Sequence, residues 1–114
     1  MKQFDHERLD VYQVSIEFIA IAEEIAKNFP KGRAYIADQL RRAALSVVLN
    51  IAEGAGEFSK NEKIRFYRIA RRSATECAAI LDVCKTLKVI ENEMLTTARY
   101  QLVRVISMLV KMTK

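Results

Sequence analysis

Apolar residues recur at steps of three and four through four successive stretches of about twenty residues, a period that only an α-helix brings onto one face. Val11, Val14, Phe18, Ala22, Ile25 and Phe29 set the first stripe, widened by Tyr12, Ile16, Ile19 and Ala26. Ile36, Leu40, Ala43, Ala44, Val47 and Ile51 set the second. The third runs Phe66, Ile69, Ala70, Ser73, Cys77, Ile80, Cys84, Leu87, and the fourth Leu95, Ala98, Leu102, Val105, Ile106, Leu109, Met112, with Val103 and Val110 extending it inward. Only three glycines and one proline punctuate the 114 residues, too few for the tight turns of an all-β fold.

The punctuation predicts helix ends. Pro30 and Gly32 close a helix over Asp10–Asn28. Gly54, as a left-handed residue, closes one over Gly32–Glu53. "SKNE" at Ser59 is a capping box opening a third helix that ends near Lys88. Asn92 caps a fourth that reaches Met112. The connections are short, which favours antiparallel neighbours. The expected fold is all-α: a single domain over residues 1–114, an antiparallel up-down four-helix bundle.

No apolar run approaches the length of a membrane span, so no membrane role is expected. The first residues, MKQFDHERLD, are charged and lack the apolar segment of a secretion signal, and a cytoplasmic location is expected. Cys77 and Cys84 lie two helical turns apart, about 10 Å, too far to bridge within one helix. They read as packed thiols in a reducing compartment. With one histidine, His6, the chain cannot assemble a Cys/His metal set, and no metal or other cofactor is expected.

The second helix is apolar on two sides. Beyond its main stripe comes a polar line, Gln39, Arg42, Ser46, Asn50 and Glu53, and beyond that a further apolar patch, Leu45, Leu49 and Ala52. Either these side chains are simply exposed, or a second copy covers them, since a chain of this length has no further element to do so. The expected oligomer contact is Leu45, Leu49 and Ala52. The polar line calls for partners, because an unpaired buried polar group costs about 1–3 kcal/mol. A structural network of Arg41, Arg42, Asn50, Glu53, Ser73 and Glu76 is expected, with the arginines on Glu53 and Glu76 and Asn50 bridging to backbone or Ser73. Paired carboxylates also perform hydrolysis or hold di-iron in bundles, but the bundle iron site needs Glu-x-x-His on two helices. No base accompanies either cysteine. The expected chain is not an enzyme.

The net charge of +5 is local. Lys60, Lys63, Arg65, Arg68, Arg71 and Arg72 stand against the one acid Glu62, so this segment alone carries the whole excess. On a helix they form a cationic strip about 18 Å long, with Tyr67 near its edge. Such strips meet phosphate backbones; the alternative is a solvated face that serves solubility. With no glycine-rich phosphate loop, RNA-recognition motif or zinc finger, any binding would read backbone charge and shape.

The segment "QLRRAALSVVLNIAEGAGEFSKNEKIRFYRIARRSATE", Gln39 to Glu76, resembles the signature of the four-helix bundle family named for 23S rRNA intervening sequences. The matching elements are Gln39–Ala44, Ser46, Asn50–Gly54, Phe66 with Tyr67, and Ala70, Ser73 and Glu76, with "NFP" at Asn28–Pro30 at the end of the first helix. The resemblance implies a ring-like homopentamer with no established enzymatic activity. Some members are encoded inside rRNA genes. A related group, the accessory variability determinants of diversity-generating retroelements, are basic pentamers that bind nucleic acid and a reverse transcriptase. The function expected is a homo-oligomer that contacts RNA or a ribonucleoprotein through its third helix. The alternative is a scaffold for a protein partner, such as a reverse transcriptase.

Overall fold

A computed structural model describes residues 2–114 of the chain. Four α-helices account for most of them: α1 Asp10–Lys27, α2 Ala34–Ala55, α3 Lys60–Thr86 and α4 Asn92–Met112. No described residue lies in a β-strand. Short 3-10 turns at Asp5–Arg8 and Lys31–Arg33 precede α1 and α2. None of the described helices is long and apolar enough to cross a membrane.

Connections of six, four and five residues leave no room for crossovers, so each helix packs on the one before it. α4 closes the circuit against α1, and the backbones of neither diagonal pair come close. The long axis of 44 Å is close to the length of α3, whose 27 residues rise about 40 Å. The core runs along that axis through Phe18, Leu40, Ile51, Leu81, Leu102 and Leu109, all fully buried. The buried Ser15 and Thr113 hydroxyls are satisfied locally: Ser15 Oγ donates to the Tyr12 carbonyl at 2.6 Å and Thr113 Oγ1 to that of Leu109 at 2.9 Å.

Several ends differ from the sequence expectation, each for a physical reason. α2 begins two residues later than Gly32, because Lys31–Arg33 form a tighter turn after Pro30. It also runs past Glu53 to Ala55, and no glycine adopts positive φ. Gly54 is inside the helix, and what demands a glycine there is space. A Cβ at that position would lie 2.6 Å from Tyr67 Cε1 and 3.1 Å from Phe66 Cβ. The left-handed residue is Lys88 instead, at φ 57°. Around it Val89 N donates to the Cys84 carbonyl and Lys88 N to that of Lys85, the paired bonds of a Schellman ending. At the start of α3 the Ser59 hydroxyl accepts from Glu62 N at 3.3 Å as expected, but the Glu62 carboxylate turns to Arg65. Asn92 is the first residue of α4 rather than its cap, which is Glu91.

The inward face of α3 is rotated from the expected stripe. Tyr67, Ala74 and Leu81 are buried, whereas Phe66, Ile69 and Ser73 are half-buried on the side of α2. α3 packs between α2 and α4, so its buried direction bisects the two. On α4, Val103 and Val110 do not extend the core; Val103 is 59% exposed.

Gly54→Ala should gain about 1 kcal/mol of helix propensity but force a buried ring to move, at a cost of about 1–3 kcal/mol. Urea unfolding should show a net loss of about 1 kcal/mol. The sign should reverse in a Tyr67→Ala background. A stabilised single variant would show that the ring yields freely.

Candidate nucleic-acid interface and subunit contacts

The six cations expected to form the strip, all in the first half of α3, separate into three environments. Lys63 turns inward across the hairpin, its Nζ donating to the carbonyls of Ala55 at 2.9 Å and Gly54 at 3.4 Å. There it meets the negative end of α2, adding to the bond that the Gly54 carbonyl accepts from Glu57 N. Arg65 is held by its neighbours, Nε donating to Glu62 Oε2 at 2.8 Å while the guanidinium lies 4.4 Å from the centre of the Phe66 ring. Lys60, Arg68, Arg71 and Arg72 make no ion pair among the described residues. Lys60, Arg68 and Arg72 are exposed and Arg71 is half-buried. The free strip is therefore smaller than the charge count suggests. Tyr67, expected at its edge, is only 6% exposed and belongs to the core beside Gly54.

The polar line of α2 meets α3 in part. Ser46 Oγ lies 2.7 Å from Ser73 Oγ, and Asn50 Nδ2 donates to the Ser46 carbonyl at 2.9 Å and to Ser46 Oγ at 3.2 Å. Two turns earlier on α2 and one turn later on α3, Gln39 Nε2 donates to Glu76 Oε2. As residue number rises along α2 it falls along α3, so the two helices run antiparallel. The expected arginine pairings with Glu53 and Glu76 do not form. Arg41 lies about 100° round the helix from Arg42, on the α1 side, where its Nε and Nη2 reach Glu23 at 2.9 and 3.1 Å and its Nη1 reaches Asp38 at 3.4 Å. Arg41 holds the Glu23 carboxylate below its ordinary pKa, and Glu23 raises that of Arg41. Arg42 and Glu53 are exposed and make no ion pair among the described residues.

Leu45 and Leu49 remain 50% and 52% exposed, and Ala52 is half-buried. The chain's own helices do not cover this patch. Other apolar side chains also stand in solvent without having been expected there. Tyr35 opens α2, Phe58 is fully exposed in the α2–α3 connection, and Tyr100 joins Val103 and Val110 on α4. For Phe58 a signal was present, an aromatic residue outside every helical stripe and directly before a capping serine.

Chemistry-bearing groups are not assembled. Burial pushes the Cys77 thiol up to about 12, with Glu76 adding to the effect, so it is no thiolate at neutral pH. Cys84 is also raised by burial. Both are free. A shallow groove of about 430 Å³ between α1 and α4 is lined by Ala20, Ile21, Met94 and Thr97 with three carboxylates, Glu24, Glu91 and Glu93. No group of three or more metal-binding side chains comes together among the described residues.

The sequence pattern of the 23S rRNA-intervening sequence protein family matches residues 7–111, which takes in all four helices and both seams of α2. The chain belongs to this family. Its fold is also that of a crystal structure at 1.70 Å of a protein with unknown function from the S23 ribosomal protein family, from Bacteroides thetaiotaomicron VPI-5482. The two are 21% identical, with a TM-score of 0.86 over 91% of this chain and 98% of the other. Among curated proteins none matches this chain. For this member of the family the helix-two motif can be read physically. The serine bonds across to α3 and the asparagine bonds to that serine, the glycine admits an aromatic ring, and the second arginine and the glutamate are left facing outward.

Lys63→Met should lower stability by about 1 kcal/mol, because it removes a cation from a helix C-terminus. Arg68→Met on the open face should change it by less than about 0.5 kcal/mol. Equal urea midpoints for the two variants would mean that Lys63 is as free as Arg68.

Proposed function

We propose that this protein is a non-enzymatic, cytoplasmic homo-oligomer that binds RNA, alone or within a ribonucleoprotein, by its phosphate backbone. A pentamer is the assembly that the family resemblance implies. The observation that carries the RNA reading is the set of unpaired cations on α3. Arg68, Arg71 and Arg72, with Lys60 at the start of the helix, have no acidic partner among the described residues. Guanidinium groups of this kind pair with phosphates bidentately and carry no preference for base sequence. Repetition around an assembly would add their fields. Self-association is supported by Leu45 and Leu49 and by the α4 strip of Tyr100, Val103 and Val110, all exposed on one subunit. The non-enzymatic reading is supported by the two thiols, both of whose pKa values burial raises.

Reversing Arg68, Arg71 and Arg72 to Glu should abolish tight RNA binding. Neutralising them to Gln should lower the slope of log affinity against log salt by about 2 for a single strand, at about 0.7 per phosphate lost. Fluorescence titration at several salt concentrations reads both. Variants that bind like the wild type would move the function to the scaffold reading, with a protein such as a reverse transcriptase on the α4 strip.

Leu45→Gln with Leu49→Gln should give a smaller species of unchanged helix content by light scattering and circular dichroism. Covering two half-exposed leucines is worth about 2 kcal/mol per subunit, so the variant should dissociate at a concentration at least about tenfold higher than the wild type does. An unchanged mass would remove this patch from the contact.

A further inference from the structure

The outward face of α2 reads as a charge palindrome: Arg42, Leu45, Leu49, Glu53. At about 100° per residue these four fall within a sector of about 80°. The two leucines are half exposed, and the two charged groups make no ion pair among the described residues. Tyr35, 69% exposed, stands at one end of the same helix, and the fully exposed Phe58 lies just past the other. We propose that this face is a two-fold contact with a second copy of the chain, α2 against α2 in antiparallel register. The proposal rests on the reading that copies associate, and it specifies how.

The register follows from the spacing. A two-fold axis at the level of Val47 sets Leu45 against Leu49 of the second copy, and Leu49 against Leu45. The same axis brings Arg42 to within one residue, about 1.5 Å of rise, of Glu53 of the second copy, and Glu53 likewise to Arg42, one ion pair on either side of the leucines. Tyr35 then faces the connection that carries Phe58, again twice. A parallel pair would cover the leucines as well, but it would oppose arginine to arginine and glutamate to glutamate. Charge therefore selects the antiparallel arrangement. Such a contact is isologous and makes pairs. It cannot by itself close a ring of five. In a pentamer it would join two rings, and the α4 strip would be left to close each one.

Charge reversal tests the register. Arg42→Glu and Glu53→Arg, each alone, oppose like charges twice, and each should weaken association at least about tenfold. The double reversal restores both pairs and should return to within about threefold of the wild type in sedimentation. A second test uses Arg42→Cys with Glu53→Cys. Within one chain these positions are about 16 Å apart, far beyond disulfide reach. Mild oxidation should therefore give a covalent pair from the double variant and not from either single variant. If wild-type protein is a single subunit at every concentration, both this contact and self-association fall. If it assembles, but the double reversal gives no rescue and the double cysteine variant no cross-link, the two-fold contact alone is overturned. Cross-linking of Arg42→Cys by itself would show the parallel arrangement and overturn it equally.

Discussion

The close approach of α2 and α3 at Gly54 fixes most of what this molecule presents to its surroundings. The Tyr67 ring occupies the space where any other residue would put a Cβ, and Lys63 reaches back to bind the carbonyls that end α2. With the hairpin held at this end, the Ser46–Ser73 and Gln39–Glu76 contacts set the rotation of α2 about its axis. That rotation decides which residues of α2 face outward. Arg42, Leu45, Leu49 and Glu53 are on the surface because the serines and the glycine are in the seam.

Much of this arrangement was legible in the amino-acid order. The four helices follow from stripes at steps of three and four, and their observed limits lie within about two residues of the expected ones. The exposed leucines of α2 followed from a helix apolar on two sides. What could not be read was rotation. On α3 the expected stripe included Phe66 and Ser73, while the buried face takes Tyr67, Ala74 and Leu81. A helix lodged between two neighbours buries the direction between them, and a single stripe does not say where the second neighbour stands. The same ambiguity placed Val103 and Val110 in the core of α4. Gly54 shows another limit. A glycine near a helix end suggests backbone freedom, and nothing local reveals an aromatic ring brought against it from thirteen residues later.

The charge of the candidate interface was legible in amount but not in availability. Six cations on one helix read as one strip, yet one is a helix cap and one is held by a neighbouring carboxylate and a ring. Formal charge counts each side chain equally, whereas only groups free of intramolecular partners can exchange water and counterions for phosphate without first breaking something. In the α2 network the reverse occurred. Arg41 and Arg42 are adjacent in sequence but serve different surfaces, because one residue along a helix is more than a quarter of a turn around it.

The pairing of helix backbones only with their ring neighbours bears on how the chain acquires its structure. Three of the four helix interfaces join consecutive helices, so loops of a few residues bring their partners together at small entropic cost. The fourth, α4 on α1, spans nearly the whole chain. During synthesis α1, α2 and α3 can pair as they emerge, but α1 keeps one flank bare until α4 arrives. The interval before that docking step is when Val11, Val14 and Phe18 are least protected, and it is governed by the speed of translation as much as by the strength of the finished core.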